Sequence, residues 1–263
     1  MTMRHLQILR AMAILAFKRA GQYRSDFFLE GASTLLVVAV QLIPVAVLYG
    51  EREQVAGWRY GEMLVLLGWF LMMRCVLDGV IAPSLAQTIG GIRTGHFDYV
   101  LMKPVDAMFL CSLGHMRPWQ AVRGAAGIAL MGMGFAALRT SPSLAAVALA
   151  TVLSGAALLT LYSIFILCVA GSFLVVRVQN LMNVLSALMD FSRWPVQVFE
   201  GLWRLVFTFV LPLAVITSFP AMALLDRISP RHTLTSLAVA GVFFALARHV
   251  WLRALRGYRS ASS

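Results

Sequence analysis

Arg74 and Asp78 lie four residues apart inside a run of apolar residues. On a helix that spacing puts them on one face, within reach of each other. A single charge deep in a bilayer costs about 2.5–3.5 kcal/mol on insertion scales, so each of the two calls for a partner. The pair is either a hinge beside the polar segment that follows or a structural ion pair that lets the run enter lipid. Asn183, Ser186, Asp190 and Arg193 recur at i, i+3, i+7 and i+10, which is one helical face. Such a face turns away from lipid, toward the bundle or a second chain. It lines a substrate path or fastens helices together. Glu200 and Arg204 repeat the i, i+4 spacing and read as a structural pair. Ala125, Ala129, Gly132 and Ala136 form a small-residue stripe that predicts close helix packing.

The richest stretch runs from Ile92 to Val105. It holds Ile92, Arg93, Gly95, Phe97, Asp98, Leu101, Lys103 and Pro104. Charge, aromatic and aliphatic residues alternate there, which predicts a short amphipathic helix with an exposed apolar face. On a water-facing segment such a face meets a partner protein or rests on lipid headgroups.

Other chemistry is missing. The chain has two lysines, Lys18 and Lys103, and neither follows a glycine, so no G-x-x-x-x-G-K-[ST] phosphate loop exists. There is no H-E-x-x-H and no G-x-S-x-G. His5, His96, His115, His232 and His249 are scattered, and Cys75, Cys111 and Cys168 fit neither a zinc site nor a disulfide framework. No acid, base and nucleophile converge, and the chain is expected to bind no cofactor of its own.

The elements that position these residues follow from composition. Of 263 residues, 60% are hydrophobic and 13% charged, against roughly 25% charged in a soluble domain. The mean hydropathy is +0.82. A globule of this size could not cover so much apolar surface, whereas a bilayer accepts it. The apolar runs are continuous rather than alternating, which selects helices over a barrel. The expected fold is an all-α integral membrane protein of about six transmembrane helices, forming one transmembrane domain over 1–263. Spans are expected near 27–49, 61–81, 119–138, 144–176, 181–194 and 234–251. A basic, interrupted helix at 1–26 lies on the interface, and a polar segment occupies 83–106. The stretch 201–225, broken by Pro212 and Pro220, is read as re-entrant, with a full span as the alternative.

The net charge of +11 does not indicate nucleic acid, because the basic residues flank apolar runs rather than form a patch. Their bias toward the N-terminal segment, 83–106 and the C-terminal tail places all three in the cytoplasm.

These residues carry a family resemblance. The Ile92–Pro104 stretch is similar to the I-R-x-G-x-x-D-x-x-L-x-x-P segment of the membrane subunits of type-2 ABC exporters. Phe191-Ser192-Arg193-Trp194-Pro195 resembles the turn ending span five in that branch. Leu211-Pro212 with Phe219-Pro220-Ala221 resembles its proline-marked segment, and Leu255-Arg256-Gly257-Tyr258-Arg259-Ser260 its C-terminal ending. The resemblance covers the whole chain. It implies a permease in a bacterial cytoplasmic membrane, paired with a like or related second permease. It implies a separate ATP-binding-cassette subunit that binds ATP and Mg. It also assigns coupling to that ATPase to Ile92, Arg93, Gly95, Phe97, Asp98, Leu101, Lys103 and Pro104. Relatives move drugs and amphiphilic compounds; an ion-gradient-driven secondary transporter is the alternative function.

Overall fold

A computed structural model of the chain describes residues 24–112, 114–173 and 178–257, together with Ile14. The interfacial helix expected at 1–26 lies outside the described residues except for Ile14 and its last three residues, which open α1. The end of the apolar run at Arg177 and the tail from Tyr258 lie outside them too.

The protein is an all-α integral membrane protein. Among the described residues five helices are long and apolar enough to cross a membrane: α1 (Arg24–Glu51), α2 (Tyr60–Thr94), α5 (Pro118–Leu138), α6 (Leu144–Ser172) and α10 (Pro230–Gly257). A two-stranded hairpin, β1 (Gln54–Val55) and β2 (Trp58–Arg59), joins α1 to α2. Short helices α3 (Asp98–Leu101) and α4 (Ala107–Cys111) lie between α2 and α5. After α6 come α7 (Val178–Met189), closed by a 3-10 turn at Asp190–Arg193, then α8 (Gly201–Val210) and α9 (Ala214–Leu224). Helices α8 and α9 meet at 72° across Leu211-Pro212.

The element from Val178 to Arg193 rises about 26 Å, just under the core thickness. Helix α2 is longer than the sequence suggests. It spans 35 residues, about 52 Å, so residues 83–94 of the expected polar segment continue it as helix. It stops at Gly95, whose φ of 78° is cheap only for glycine.

Prolines inside helices free carbonyls that distant groups then take. Pro83 has no N–H for the carbonyl of Gly79, and the Arg117 amide donates to that carbonyl at 2.8 Å. A π-helical turn at Leu77–Ile81 precedes it. Pro220 likewise frees the carbonyl of Ile216, which accepts from Trp69 Nε1 at 3.2 Å. A π-turn at Ala214–Ser218 adjoins this bond.

Helices α2 and α5 approach closely at glycines. A Cβ on Gly127 would sit 2.6 Å from the Gly68 oxygen, and one on Gly134 would sit 2.6 Å from the Gly61 oxygen. The expected stripe of Ala125, Ala129, Gly132 and Ala136 does not pack here. All four are exposed, and nothing lies within 4 Å of a Cβ built on Gly132. The seam falls instead on the residues that let backbones touch.

Residues on both sides of the bent pair contact the hairpin region. Just before it, Gln197 Oε1 accepts from Trp58 Nε1 at 3.2 Å. Just after it, Arg227 donates to Glu62 at 2.6 Å and to the Gly57 carbonyl at 3.2 Å. Ser143, at the start of α6, donates to Asp226 at 3.2 Å at the same end. The opposite end gathers Phe97, Phe173 and Trp251, and both described chain ends lie there.

Candidate functional site

The segment after α2 is folded differently from the expected single amphipathic helix. Gly95 turns the chain, and Phe97 N–H donates back to the Gly91 carbonyl at 3.1 Å. The turn drives the Phe97 side chain inward, where it is 1% exposed. Its ring meets Phe173 at 5.6 Å and Trp251 at 6.2 Å, both edge-on. Phe173 and Trp251 are themselves 5.9 Å apart. Three aromatic rings therefore tie this turn to the ends of α6 and α10. Ile92 is buried as well.

The residues around this anchor face outward. Arg93, Leu101, Lys103 and Pro104 are exposed, and Asp98 is half-buried. Tyr99 is 64% exposed and Met102 72%. The sequence reading missed these two. A glycine-stopped helix would have revealed them, because the turn re-phases every later side chain. The result is an exposed apolar knob rimmed by charge and rooted in the bundle.

The intramembrane charges also converge. Arg74 pairs with Asp78 at 3.3 Å and reaches Asp190 at 3.9 Å. Its guanidinium also donates to the Ser186 carbonyl at 3.1 Å. Arg123, on α5, forms a further pair with Asp78. The structure thus joins the Arg74/Asp78 pair to the expected polar face through Ser186 and Asp190, and adds an arginine that sequence reasoning passed over. Arg123 stands among alanines and glycines in an apolar helix, and that isolation was the available signal. Arg193 lies apart from the network, its Cζ 6.0 Å from the Trp194 ring centre and its Nε buried without a hydrogen bond. Glu200 and Arg204 do not pair. Arg204 instead donates to the carbonyls of Phe199 and Gln197.

Two cavities lie near the end of the bundle that holds Phe97. One, of about 300 Å³, is lined by Asp78, Arg117, Gln120, Asn183 and Ser186 with small apolar neighbours. The other, of about 510 Å³, is mostly apolar and lies beside α4, lined by Phe109, Ser112, Tyr162 and Phe244. At this second cavity Arg248 pairs with Asp106 at 2.8 Å. Partial burial pushes the Asp106 carboxyl up, but the Arg248 hydrogen bond and charge, with the Phe109 and Met108 amides, outweigh it. The carboxyl is held below its ordinary 3.8. Burial pushes the neighbouring Cys111 thiol up to about 11, which keeps it an unreactive thiol.

The described residues gather charges between spans and root an exposed knob in two helix ends. A family model described as ABC-2 family transporter protein matches residues 35–262. No curated protein and no solved structure matches the chain. The match takes in every described span but the first turns of α1, and with it the chain belongs to the ABC-2 family of transporter proteins as a transmembrane permease.

Proposed function

We propose that this permease is driven by a separate ATP-binding-cassette subunit, which binds ATP and Mg and docks on the knob at residues 95–104. The observation that carries this reading is the division of labour within the knob. Tyr99 and Met102 present an apolar contact surface to water, while Phe97 fixes the same turn to α6 and α10. A push or pull on the outer residues reaches two spans through one packed ring. Arg93, Asp98 and Lys103 supply the charged rim that orients the partner.

The substrate in this account is an amphiphilic or drug-like compound exported through the cell inner membrane. The permease works as a dimer of like or related chains. The chain crosses six times: α1, α2, α5, α6, the Val178–Arg193 element and α10. The α8–α9 pair dips in and returns. Both ends are cytoplasmic, in keeping with the basic bias of that side. The return of the bent pair to the Trp58 hairpin supports this crossing count.

The test is co-purification and energetics. A tagged chain expressed with its neighbouring genes is expected to retain an ATPase. Its transport is expected to survive collapse of ion gradients and to stop when ATP is removed. Transport that follows the ion gradient and ignores ATP would refute the reading.

A further inference from the structure

The cavity of about 300 Å³ between α2, the start of α5 and α7 has a chemistry that the coupling account leaves unused. Its depth is the first clue. Along α2, Asp78 and Ala86 lie about 27 and 39 Å from Tyr60 at the far end. The hydrocarbon core is about 30 Å thick and the headgroups extend the bilayer to about 40–45 Å. With Tyr60 at the far edge of the core, the cavity therefore runs from the end of the hydrocarbon core into the headgroup layer of the leaflet on the Phe97 side.

Its electrostatics are the second clue. Arg74, Arg117 and Arg123 stand around the cavity against two carboxylates, Asp78 and Asp190. Asp78 and Asp190 are engaged by Arg74 and Arg123. Among the described residues no carboxylate lies within 4.0 Å of Arg117, which is exposed at the lining. One positive charge is left over, facing an open-sided polar cavity. The third clue is Gln120. It is 7% exposed, lines the cavity, and its Oε1 has no hydrogen-bond partner. A buried unpaired amide oxygen costs about 1–3 kcal/mol, which a ligand hydroxyl would relieve.

We propose that this cavity binds a phosphate monoester or similar hydroxyl-bearing anionic group, presented as the headgroup of an amphiphile from the adjoining leaflet. Arg117 holds the anionic oxygens, Ser186 and Asn183 donate to them, and a rotation of the Gln120 side chain turns its buried Oε1 into the cavity to accept from the ligand O–H. The volume suits a headgroup rather than a whole amphiphile, so the tail stays in lipid. The inference rests on the reading of the chain as a permease for amphiphiles, and it narrows the substrate class.

The experiment uses the full chain in phosphatidylcholine nanodiscs. Dodecyl phosphate, inorganic phosphate and dodecyltrimethylammonium are each titrated, with native mass spectrometry and thermal midpoint as readouts. Dodecyl phosphate is expected to bind and raise the midpoint, and Arg117→Gln and Gln120→Leu each to weaken it at least about tenfold. Gln120→Leu removes the unpaired amide at constant size, so the variant is expected to fold. Binding of inorganic phosphate with equal affinity would support the anion site while assigning it to a free phosphate. Equal binding of the ammonium probe, or binding untouched by both variants, would overturn the proposal. The same titration on Arg93→Glu/Asp98→Arg separates the two readings: the headgroup site is expected intact there while ATP-driven transport is lost. Normal transport in that variant would count against the coupling account alone.

Discussion

The ring of Phe97 meets the indole of Trp251 edge-on, with centroids 6.2 Å apart and planes at 87°. Phe97 belongs to the turn after α2, and Trp251 to the last span, which packs along α6. A segment that would otherwise hang from one helix is thereby held by three. Packed aromatic cores deform little, so displacement of the turn moves the ends of α6 and α10 with it. This suits the turn to act as a lever in the proposed coupling to an ATPase.

The Arg74–Asp78–Arg123 arrangement predicts an order of stabilities. Asp78→Asn leaves two guanidinium groups with only Asp190 nearby, and is expected to cost about 3–5 kcal/mol. Arg123→Leu leaves Asp78 paired with Arg74 and is expected to cost clearly less. The double variant is expected to cost less than the sum of the two, because the partners act as one network. Denaturant titration in mixed micelles measures all three. An additive double variant would show that Arg123 and Asp78 do not interact.

The glycine seam predicts a sharp contrast between two positions on α5. Gly127→Ala puts a Cβ 2.6 Å from the Gly68 oxygen and must push α2 and α5 apart. The expected loss is about 1–3 kcal/mol. Gly132→Ala meets nothing within 4 Å and is expected to be neutral or slightly stabilising through helix propensity. Thermal midpoints of the two variants check this, and equal midpoints would refute the seam.

The Asp106–Arg248 pair predicts a pH dependence of stability. The folded carboxyl lies below its ordinary 3.8. Its contribution to stability is therefore complete above that value and lost as pH falls through the depressed one. The wild-type midpoint is expected to drop more steeply than that of Asp106→Asn as pH falls below about 4. The two curves are expected to converge in acid. Parallel curves would mean that the pair contributes nothing.

Much of this was legible in the sequence because lipid imposes simple rules. Uninterrupted apolar runs placed 27–49, 119–138 and 144–176 within a few residues of α1, α5 and α6, and Arg74 with Asp78 could be paired from their spacing alone. What stayed hidden depends on contacts between distant segments. Arg123 joins Asp78 across 45 residues, and no periodicity links them. The small-residue stripe was misplaced because alanine and glycine look alike to a pattern, whereas only glycine permits the backbone contact at Gly68 and Gly127. The Ile92–Val105 stretch was read as one helix because its periodicity continues through Gly95, where the left-handed turn rotates the later side chains. The contacts of Gln197 with Trp58 and of Arg227 with Gly57, on either side of 201–225, join segments more than 130 residues apart and left no trace in local periodicity.

The central claim is that the exposed face at Tyr99 and Met102 receives the work of an ATPase. The most direct measurement is ATP-driven transport by the assembled complex carrying Tyr99→Glu/Met102→Glu, alongside the amount of ATPase that co-purifies. Both side chains are exposed, so the thermal midpoint is expected to stay unchanged. The account predicts loss of the bound ATPase and at least about a tenfold fall in transport, the equivalent of 1.4 kcal/mol of lost docking energy or more. Full transport with the ATPase still bound would contradict it.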